Sequence, residues 1–342
     1  MKRCKGNHLR TTYKEAGVDI AAGEEVVKRI KRSVRSTFTR NVLTDIGLFG
    51  AFFDAKFKGY THPVLVSSVD GVGTKLKVAF MADRHDTVGQ DLVNHCVNDI
   101  LVCGATPLYF MDYFATGKLK PEITEKVLSG FIRACRENGC SLIGGETAEM
   151  PGFYSTDEYD IAGMIVGVVE KKHIIKGEHV KKGDVLIGLP SNGLHTNGYS
   201  LARSVLFEKY DVDSYVDELG ATVGEVLLAV HRSYLRPVRK VFERYPVQAL
   251  SHITGGGIIG NTSRVIPRAL TLSIDWDAWK RPPIFTLIQR QGEVPEDDMR
   301  KTFNLGIGLV VIVRKAIVDE VLRLFRRCHE HPVVIGEVVQ QK

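Results

Sequence analysis

From His85 to Gly117 the chain carries no Lys, Arg or Glu, yet it holds four aspartates: Asp86, Asp91, Asp99 and Asp112. A solvated helix face normally carries Lys and Glu, which favour both helix and solubility. Carboxylates buried without basic neighbours need a cation or a shifted protonation state. Helical spacing predicts a helix over residues 90–102. At about 100° per residue, Asp91, Asn94, His95 and Asn98 fall on one arc, with Asp99 at its margin. Leu92, Val93, Cys96, Val97, Ile100 and Leu101 fill the opposite side. An arc of short, acceptor-rich side chains suits a hard cation or a ligand. A plain polar face is the simpler alternative.

The length of 342 residues suits two compact domains. With 46 Lys+Arg against 40 Asp+Glu the net charge is +6, which is mild and would suit an anionic small substrate. The densest basic run, Lys28 to Arg40, is short and interrupted, so the stripe expected of a nucleic-acid binder is missing. The six cysteines (Cys4, Cys96, Cys103, Cys135, Cys140 and Cys328) show no CxxC and no paired ligand spacing. They read as reduced core residues of a cytosolic protein. No secretory h-region opens the chain and no apolar run approaches a membrane span. The expectation is a soluble, cytoplasmic protein with neither membrane nor nucleic acid as partner.

Residues 1–12 are basic and polar and read as mobile. Residues 24–34 have helical spacing, and 37–58 mix glycine with aromatics as an irregular segment folding over something. Strands are expected at 63–69, 108–115, 141–143 and 161–169, with helices at 90–102 and 122–138 between them. The Lys- and Gly-rich stretch 171–183 reads as a connection, dividing an N-terminal unit (1–170) from a C-terminal one (171–342). Beyond it, strands are expected at 185–189, 247–253, 270–274, 306–313 and 333–338. Helices are expected at 198–209, within 222–244, and at 258–266, 283–291 and 316–327. This alternation supports α/β and α+β domains, with sheet order undetermined.

Glycine is abundant, 33 residues, and grouped beside polar side chains. Asp70-Gly71-Val72-Gly73-Thr74-Lys75 follows a strand. Its glycines would let backbone N–H groups approach phosphate, with Lys75 as a point charge and Asp70 as a metal ligand. It is neither a Walker A loop nor a dinucleotide fingerprint, and a turn with a surface lysine would look the same. Gly144-Gly145-Glu146-Thr147-Ala148-Glu149-Met150-Pro151-Gly152 reads as a loop with two carboxylates. Three such places suggest a polyphosphate bridged by Mg²⁺, which takes one or two carboxylates plus phosphate oxygens and waters. In the second half, His195-Thr196-Asn197-Gly198 and His252-Ile253-Thr254-Gly255-Gly256-Gly257 each lead into a helix. Glycine N–H groups and hydroxyls there make anion sites. His195 and His252 stand beside them as acids, donors or ordinary loop histidines.

These motifs, in this order, resemble those of the phosphoribosylformylglycinamidine cyclo-ligase family, the phosphoribosylaminoimidazole synthetases. The likeness runs from Thr12 to about Val338. It includes Tyr13–Asp19, Asp70–Lys75, Cys96–Ile100, Asp112-Tyr113 with Ala115–Lys118, Gly144–Gly152, His195–Leu201, His252–Gly257 and Phe303–Gly306. The resemblance implies ATP-dependent closure of formylglycinamidine ribonucleotide to aminoimidazole ribonucleotide, with ADP and phosphate released. The amide oxygen would be activated by phosphorylation and displaced by the amidine nitrogen. It implies ATP and Mg²⁺ as cofactors, with Asp70, Asp99 and Glu146 on the metal side. Gly17, Asp19, Asp70, Gly71, Gly73, Thr74, Lys75, Asn98 and Asp112 would lie around the nucleotide. Asp91, His195 and Lys75 would stand near the reacting centre. His195, Asn197, Gly198, His252, Thr254, Gly255, Gly256 and Gly257 would bind the substrate's ribose phosphate. The implied fold is an AIR-synthetase-like pair of domains: an N-terminal α/β domain whose sheet forms a barrel across a homodimer, and a C-terminal α+β domain. Two departures stand out. Thr44-Asp45 and Leu48 interrupt a run that is glycine-richer in the family, and His95 stands where a methionine or similar residue is usual. Related synthetases and kinases on the same scaffold, or an inactive paralogue, are the alternatives.

Overall fold

The computed structural model describes residues 12–341. Cys4 and residues 1–11 of the basic lead-in lie outside them. Helix α1 (Ile20–Arg35) begins at Asp19, whose carboxylate accepts from the Ala21 and Ala22 N–H groups and so caps it. There follow β1 (Pro63–Gly71), α2 (Lys75–Met81), α3 (Val88–Leu101), β2 (Thr106–Thr116), α4 (Pro121–Glu137), β3 (Ser141–Glu149) and β4 (Tyr159–Glu170). The strands form one sheet in the order β1-β4-β2-β3, antiparallel except for β2 with β3. That parallel pair is joined through α4, the kind of crossover a parallel connection requires.

Strand β3 corrects one expectation. The segment Gly144–Glu149, read as a loop, continues the strand and pairs with β2 from Met111 to Thr116. Its glycines conceal the strand pattern but are needed there. A β-carbon on Gly145 would lie 2.3 Å from the Asp112 carbonyl oxygen. Helix α2 and a later helix over Glu296–Thr302 also went unexpected, because about two turns carry too little periodicity to register.

Helices α3 and α4 both cover the same face of this sheet. They touch at Gly89 and Gly130, where β-carbons would lie 2.3 Å and 2.8 Å from opposing carbonyl oxygens. Along β1 burial alternates: Val64, Val66, Ser68 and Asp70 turn inward, while Leu65 and Val69 stand exposed on the opposite face.

The C-terminal half runs β5 (Val185–Pro190), α5 (Tyr199–Leu206), a short ribbon of β6 (Tyr215–Val216) and β7 (Ala221–Thr222), α6 (Val223–Leu227), α7 (Leu235–Phe242) and β8 (Ala249–His252). It continues with α8 (Gly257–Thr262), β9 (Leu270–Ile274), α9 (Pro283–Gln291), α10 (Glu296–Thr302), β10 (Ile307–Val313), α11 (Val318–Arg327) and β11 (Val333–Gln340). Its sheet is fully antiparallel, in the order β8-β10-β5-β11-β9. Strand β10 is buried on both faces. Val310 and Ile312 join a local cluster with Ala249, Ile258 and Ile335. Leu309, Val311 and Val313 belong to a larger core that also contains Leu92, Val97 and Phe131 of the N-terminal half. The apolar interior is therefore continuous across the two halves. No helix among the described residues is long and apolar enough to cross a membrane.

Candidate active site

The C-terminal end of β1 and one face of α3 meet the end of β8, the turn before α5 and the segment 229–234. Two carboxylates and four histidines gather there. The Asp70 carboxylate lies 2.8 Å from His95 Nε2, and Asp99, one helical turn after His95, lies 3.7 Å from the same nitrogen. Asp99 also reaches His252 Nδ1 at 2.8 Å and accepts from the Ser68 hydroxyl at 3.0 Å. Among the described residues, no Lys or Arg pairs with either carboxylate. Burial opposes the charge on both. For Asp70 the His95 hydrogen bond and charge outweigh it; for Asp99 the His252 hydrogen bond leads, and both carboxyls sit below their ordinary value. Burial likewise opposes protonation of His95, but its bond to Asp70 and the charge of Asp99 raise it. Burial dominates at His252, His195 and His231, all of which are pushed down.

The histidines form a connected set. His195 and His231 stack with ring centroids 4.0 Å apart and planes 18° from parallel. His231 Nε2 lies 3.0 Å from His252 Nε2. The Thr196 hydroxyl reaches His95 Nδ1 at 2.8 Å and His231 Nδ1 at 3.3 Å. His195 takes a φ of 63°, a left-handed conformation unusual for a residue with a side chain. Its Nε2 meets Asn192 Oδ1 at 3.1 Å, and its buried Nδ1 has no partner. An outward turn would relieve that strain at the cost of the stack, so the surrounding contacts hold it in place.

Two turns earlier on α3 the same residue type does something else. Asp91 and Lys75 are fully buried and pair at 2.8 Å. The Lys75 ammonium also donates to the carbonyls of Ala229 (2.8 Å) and His195 (3.3 Å). Asp91 accepts from the His231 N–H at 2.7 Å. Desolvation holds Lys75 below and Asp91 above their usual values. Lys75, expected as a phosphate contact, is thus sealed beneath the site.

The arc on α3 is consequently split. Asn94 donates to the His231 carbonyl, and Asn98 donates to the Arg232 carbonyl while accepting from the Tyr234 N–H. Asp91, Asn94 and Asn98 therefore fasten α3 to the C-terminal half, Asn98 also meeting His231 Nε2 at 3.2 Å, while His95 and Asp99 meet the acids and imidazoles of the cluster. The Gly71–Thr74 turn lies beside it, with Thr74 meeting the Ser200 hydroxyl at 3.1 Å.

The remaining expected residues are more scattered. Gly17, at φ 100°, packs on Pro151, and the Asp19 N–H donates to Glu149 Oε2 at 2.6 Å. Asp112 sits beneath β3 on a cavity of 280 Å³ that Phe49 and Gly145 also line. Among the described residues it has no cationic partner, and burial pushes its carboxyl up to about 7. Glu146 stands exposed on β3, three strand spacings or about 14 Å from Asp70 across the sheet. The Thr254–Gly257 loop is held by Asn261, whose amide donates to the carbonyls of Thr254, Gly255 and Gly257. Gly198 is indispensable to the turn before α5: its φ is 79°, and the Phe303 ring fills the place of a side chain. Asn197 lies against Gly255.

Sequence reading missed His231 entirely, along with Ser68 and Asn261. His231 lies in an irregular segment between α6 and α7, with no glycine or acid beside it to mark a site. Arg232 next to it donates from Nη2 to both Glu330 carboxylate oxygens at 2.7 Å and 2.9 Å, tying that segment to the stretch between α11 and β11.

This two-domain arrangement, with a site where the halves meet, is that of AIR-synthase-related proteins. Residues 56–169 match the family described as "AIR synthase related protein, N-terminal domain", and residues 181–342 match its C-terminal counterpart. Solved structures with this fold include thiamine-monophosphate kinase from Stenotrophomonas maltophilia K279a. It has a TM-score of 0.67 at 15% identity, covering 93% of this chain and 94% of that one. The hydrogenase maturation protein HypE in complex with ATP gives 0.66 at 18% identity, covering 93% and 86%. At those identities the likeness concerns fold alone. The nearer relatives are more particular. The phosphoribosylformylglycinamidine cyclo-ligase of Alkaliphilus metalliredigens is 47% identical over 97% of this chain and 96% of its own length. That of Thermoanaerobacter sp. strain X514 is 50% identical over 96% and 98%. The chain belongs to the phosphoribosylformylglycinamidine cyclo-ligase family.

Proposed function

We propose that the cleft between the halves closes the imidazole ring of formylglycinamidine ribonucleotide at the expense of ATP, as a step of purine biosynthesis in the cytoplasm. Full-length identity of 47–50% to relatives of that name carries the reading. The expected Mg²⁺ fits the residues present: Asp70 and Asp99 offer carboxylate oxygens with no Lys or Arg to neutralise them. A cation there would supply charge for the transferring phosphoryl group. Glu146 is too distant within one chain to share an ion with Asp70, so the metal role rests on the two aspartates.

The chain's own work is then positioning and electrostatics. The Gly71–Thr74 turn offers backbone N–H groups to the nucleotide. Thr254–Gly257, Asn197 and Gly198 hold the ribose phosphate of the substrate. His252, which meets Asp99 from the other half, orients the amide oxygen that accepts phosphate before the amidine nitrogen displaces it, with His195 behind it, stacked on His231. Lys75 and Asp91 act from beneath, holding the backbone of His195 and His231 at the cleft floor. Asp19 and Asn98 serve the nucleotide region as cap and staple.

A second copy of the chain covers the open face of the N-terminal sheet, where Leu65, Val69 and Tyr113 stand exposed. Sedimentation should then give the mass of a homodimer, and a monomer at micromolar concentration would reject that pairing. The reaction is tested by supplying ATP, Mg²⁺ and formylglycinamidine ribonucleotide and assaying a diazotisable amine. ATP bound without amine formed would reject the cyclo-ligase reading.

A further inference from the structure

We infer that His231 is a positioning residue for ring closure. The face of its imidazole sets the plane of His195, its edge sets the aim of His252, and the two effects are separable. The inference rests on the reading of His195 as a binder of the nucleotide substrate and of His252 as the group that orients the amide oxygen.

The backbone of His231 comes first, because it fixes where the ring can be. Its N–H donates to Asp91 Oδ1 and its carbonyl accepts from Asn94 Nδ2, each at 2.7 Å. Both contacts come from α3, so an irregular segment of the C-terminal half is registered against a helix of the N-terminal half. With the main chain pinned at both polar groups, the imidazole can move only about its own side-chain bonds. Those are constrained in turn. Nδ1 lies 3.3 Å from the Thr196 hydroxyl, and Nε2 lies 3.2 Å from Asn98 Nδ2 and 3.0 Å from His252 Nε2. The residue is fully buried, so it meets no substrate itself. A ring held at both edges over a fixed backbone is the kind of support that keeps a neighbouring group in one geometry.

His195 leans on that support. Its ring has a single hydrogen-bond partner, Asn192 Oδ1 at 3.1 Å, while its buried Nδ1 has none. One hydrogen bond leaves a ring free to tilt about the bond axis. The stack on His231, with centroids 4.0 Å apart and planes 18° from parallel, removes that freedom.

His252 uses the edge instead. Its Nδ1 meets Asp99, whose carboxylate is part exposed at the cleft, and its Nε2 meets His231 in the interior. Holding the inner nitrogen aims the outer one. A hydrogen bond joins the two Nε2 atoms whichever ring supplies the hydrogen, and an apolar residue at position 231 would abolish it. An imidazole alone offers both the flat face and the polar edge. Phenylalanine keeps the face and loses the edge, whereas glutamine keeps a polar end and loses the face.

The test compares His231→Phe and His231→Gln with the unaltered chain, all full length, in the ring-closure assay with Mg²⁺ and ATP. His231→Phe should lower kcat about tenfold and leave KM for formylglycinamidine ribonucleotide within about twofold, since His195 keeps its stack while His252 loses its inner partner. His231→Gln should do the reverse, raising that KM about tenfold with kcat within about twofold. Parallel losses in kcat and KM in both variants would mark His231 as packing only and overturn the inference, as would unchanged kinetics in both. A second measurement needs no variant. Nuclear magnetic resonance of the unaltered chain, with isotopically labelled histidine, should show scalar coupling between His231 Nε2 and His252 Nε2 across their hydrogen bond. Its absence would remove the contact that aims His252. An unaltered chain that shows the coupling but no turnover defeats the cyclo-ligase reading, whereas turnover with no division of kcat from KM between the variants defeats only the role of His231.

Discussion

Asp91 and Asp99 lie on one helix, two turns apart, and meet opposite fates. Asp91 is completely enclosed with Lys75, whose ammonium also donates to two backbone carbonyls. Asp99 keeps 28% of its side chain exposed and faces only imidazoles and a hydroxyl. A buried acid with a full-strength counter-ion is committed to architecture. One left with weak, titratable partners beside an opening remains free to engage something that arrives. Partner type, more than the carboxylate itself, separates the clamp from the working site.

The largest effect should come from breaking the clamp. Lys75→Met leaves Asp91 buried and unpaired and should cost about 3–5 kcal/mol of stability in urea denaturation. The double variant Lys75→Met/Asp91→Leu should recover much of that loss. If the single change is harmless, Lys75 is no clamp and the contrast collapses. Next, Asp99→Asn should lower turnover at least a hundredfold, about 2.7 kcal/mol in barrier, while shifting the melting temperature little. Substantial residual activity would remove Asp99 from the metal side.

His195→Ala should raise KM for the nucleotide substrate about tenfold, with a smaller change in kcat. An unchanged KM would reject it as a binder.

Asp112 supplies the smallest effect and a third kind of acid, one with no base at all. Its carboxyl is raised to about 7, so between roughly pH 4 and 7 the folded chain retains a proton that the unfolded chain has released. Stability from this group therefore falls as pH rises through that window. Asp112→Asn should remove the slope, opening a gap of about 1 kcal/mol in favour of the variant by pH 7 after allowance for partial exposure. Parallel pH profiles would show that Asp112 is ionised throughout.

Much of the frame was legible because it is periodic. Strand β9 and helix α9 fall where alternation and helical spacing put them. Helix α3, at the heart of the stretch without Lys, Arg or Glu, is buried at every position except Asp99. Gly144–Glu149 misled because a glycine pair reads as a turn, whereas here it admits the Asp112 backbone. The roles within α3 were hidden for another reason. Asp91 and Asp99 differ only in what the distant segments around Lys75, His231 and His252 bring to them. His231 illustrates the limit: one histidine in an irregular stretch gives no local sign that three others converge on it.

The continuous interior has a further consequence. Because Leu92 and Phe131 share their packing with Leu309 and Val311, the halves cannot swing apart without exposing a broad apolar surface. The cleft therefore has a set width. Traffic in and out must pass through that standing gap rather than through any jaw-like opening. The chain should also melt in one step, and neither half expressed alone should stay in solution as a folded unit.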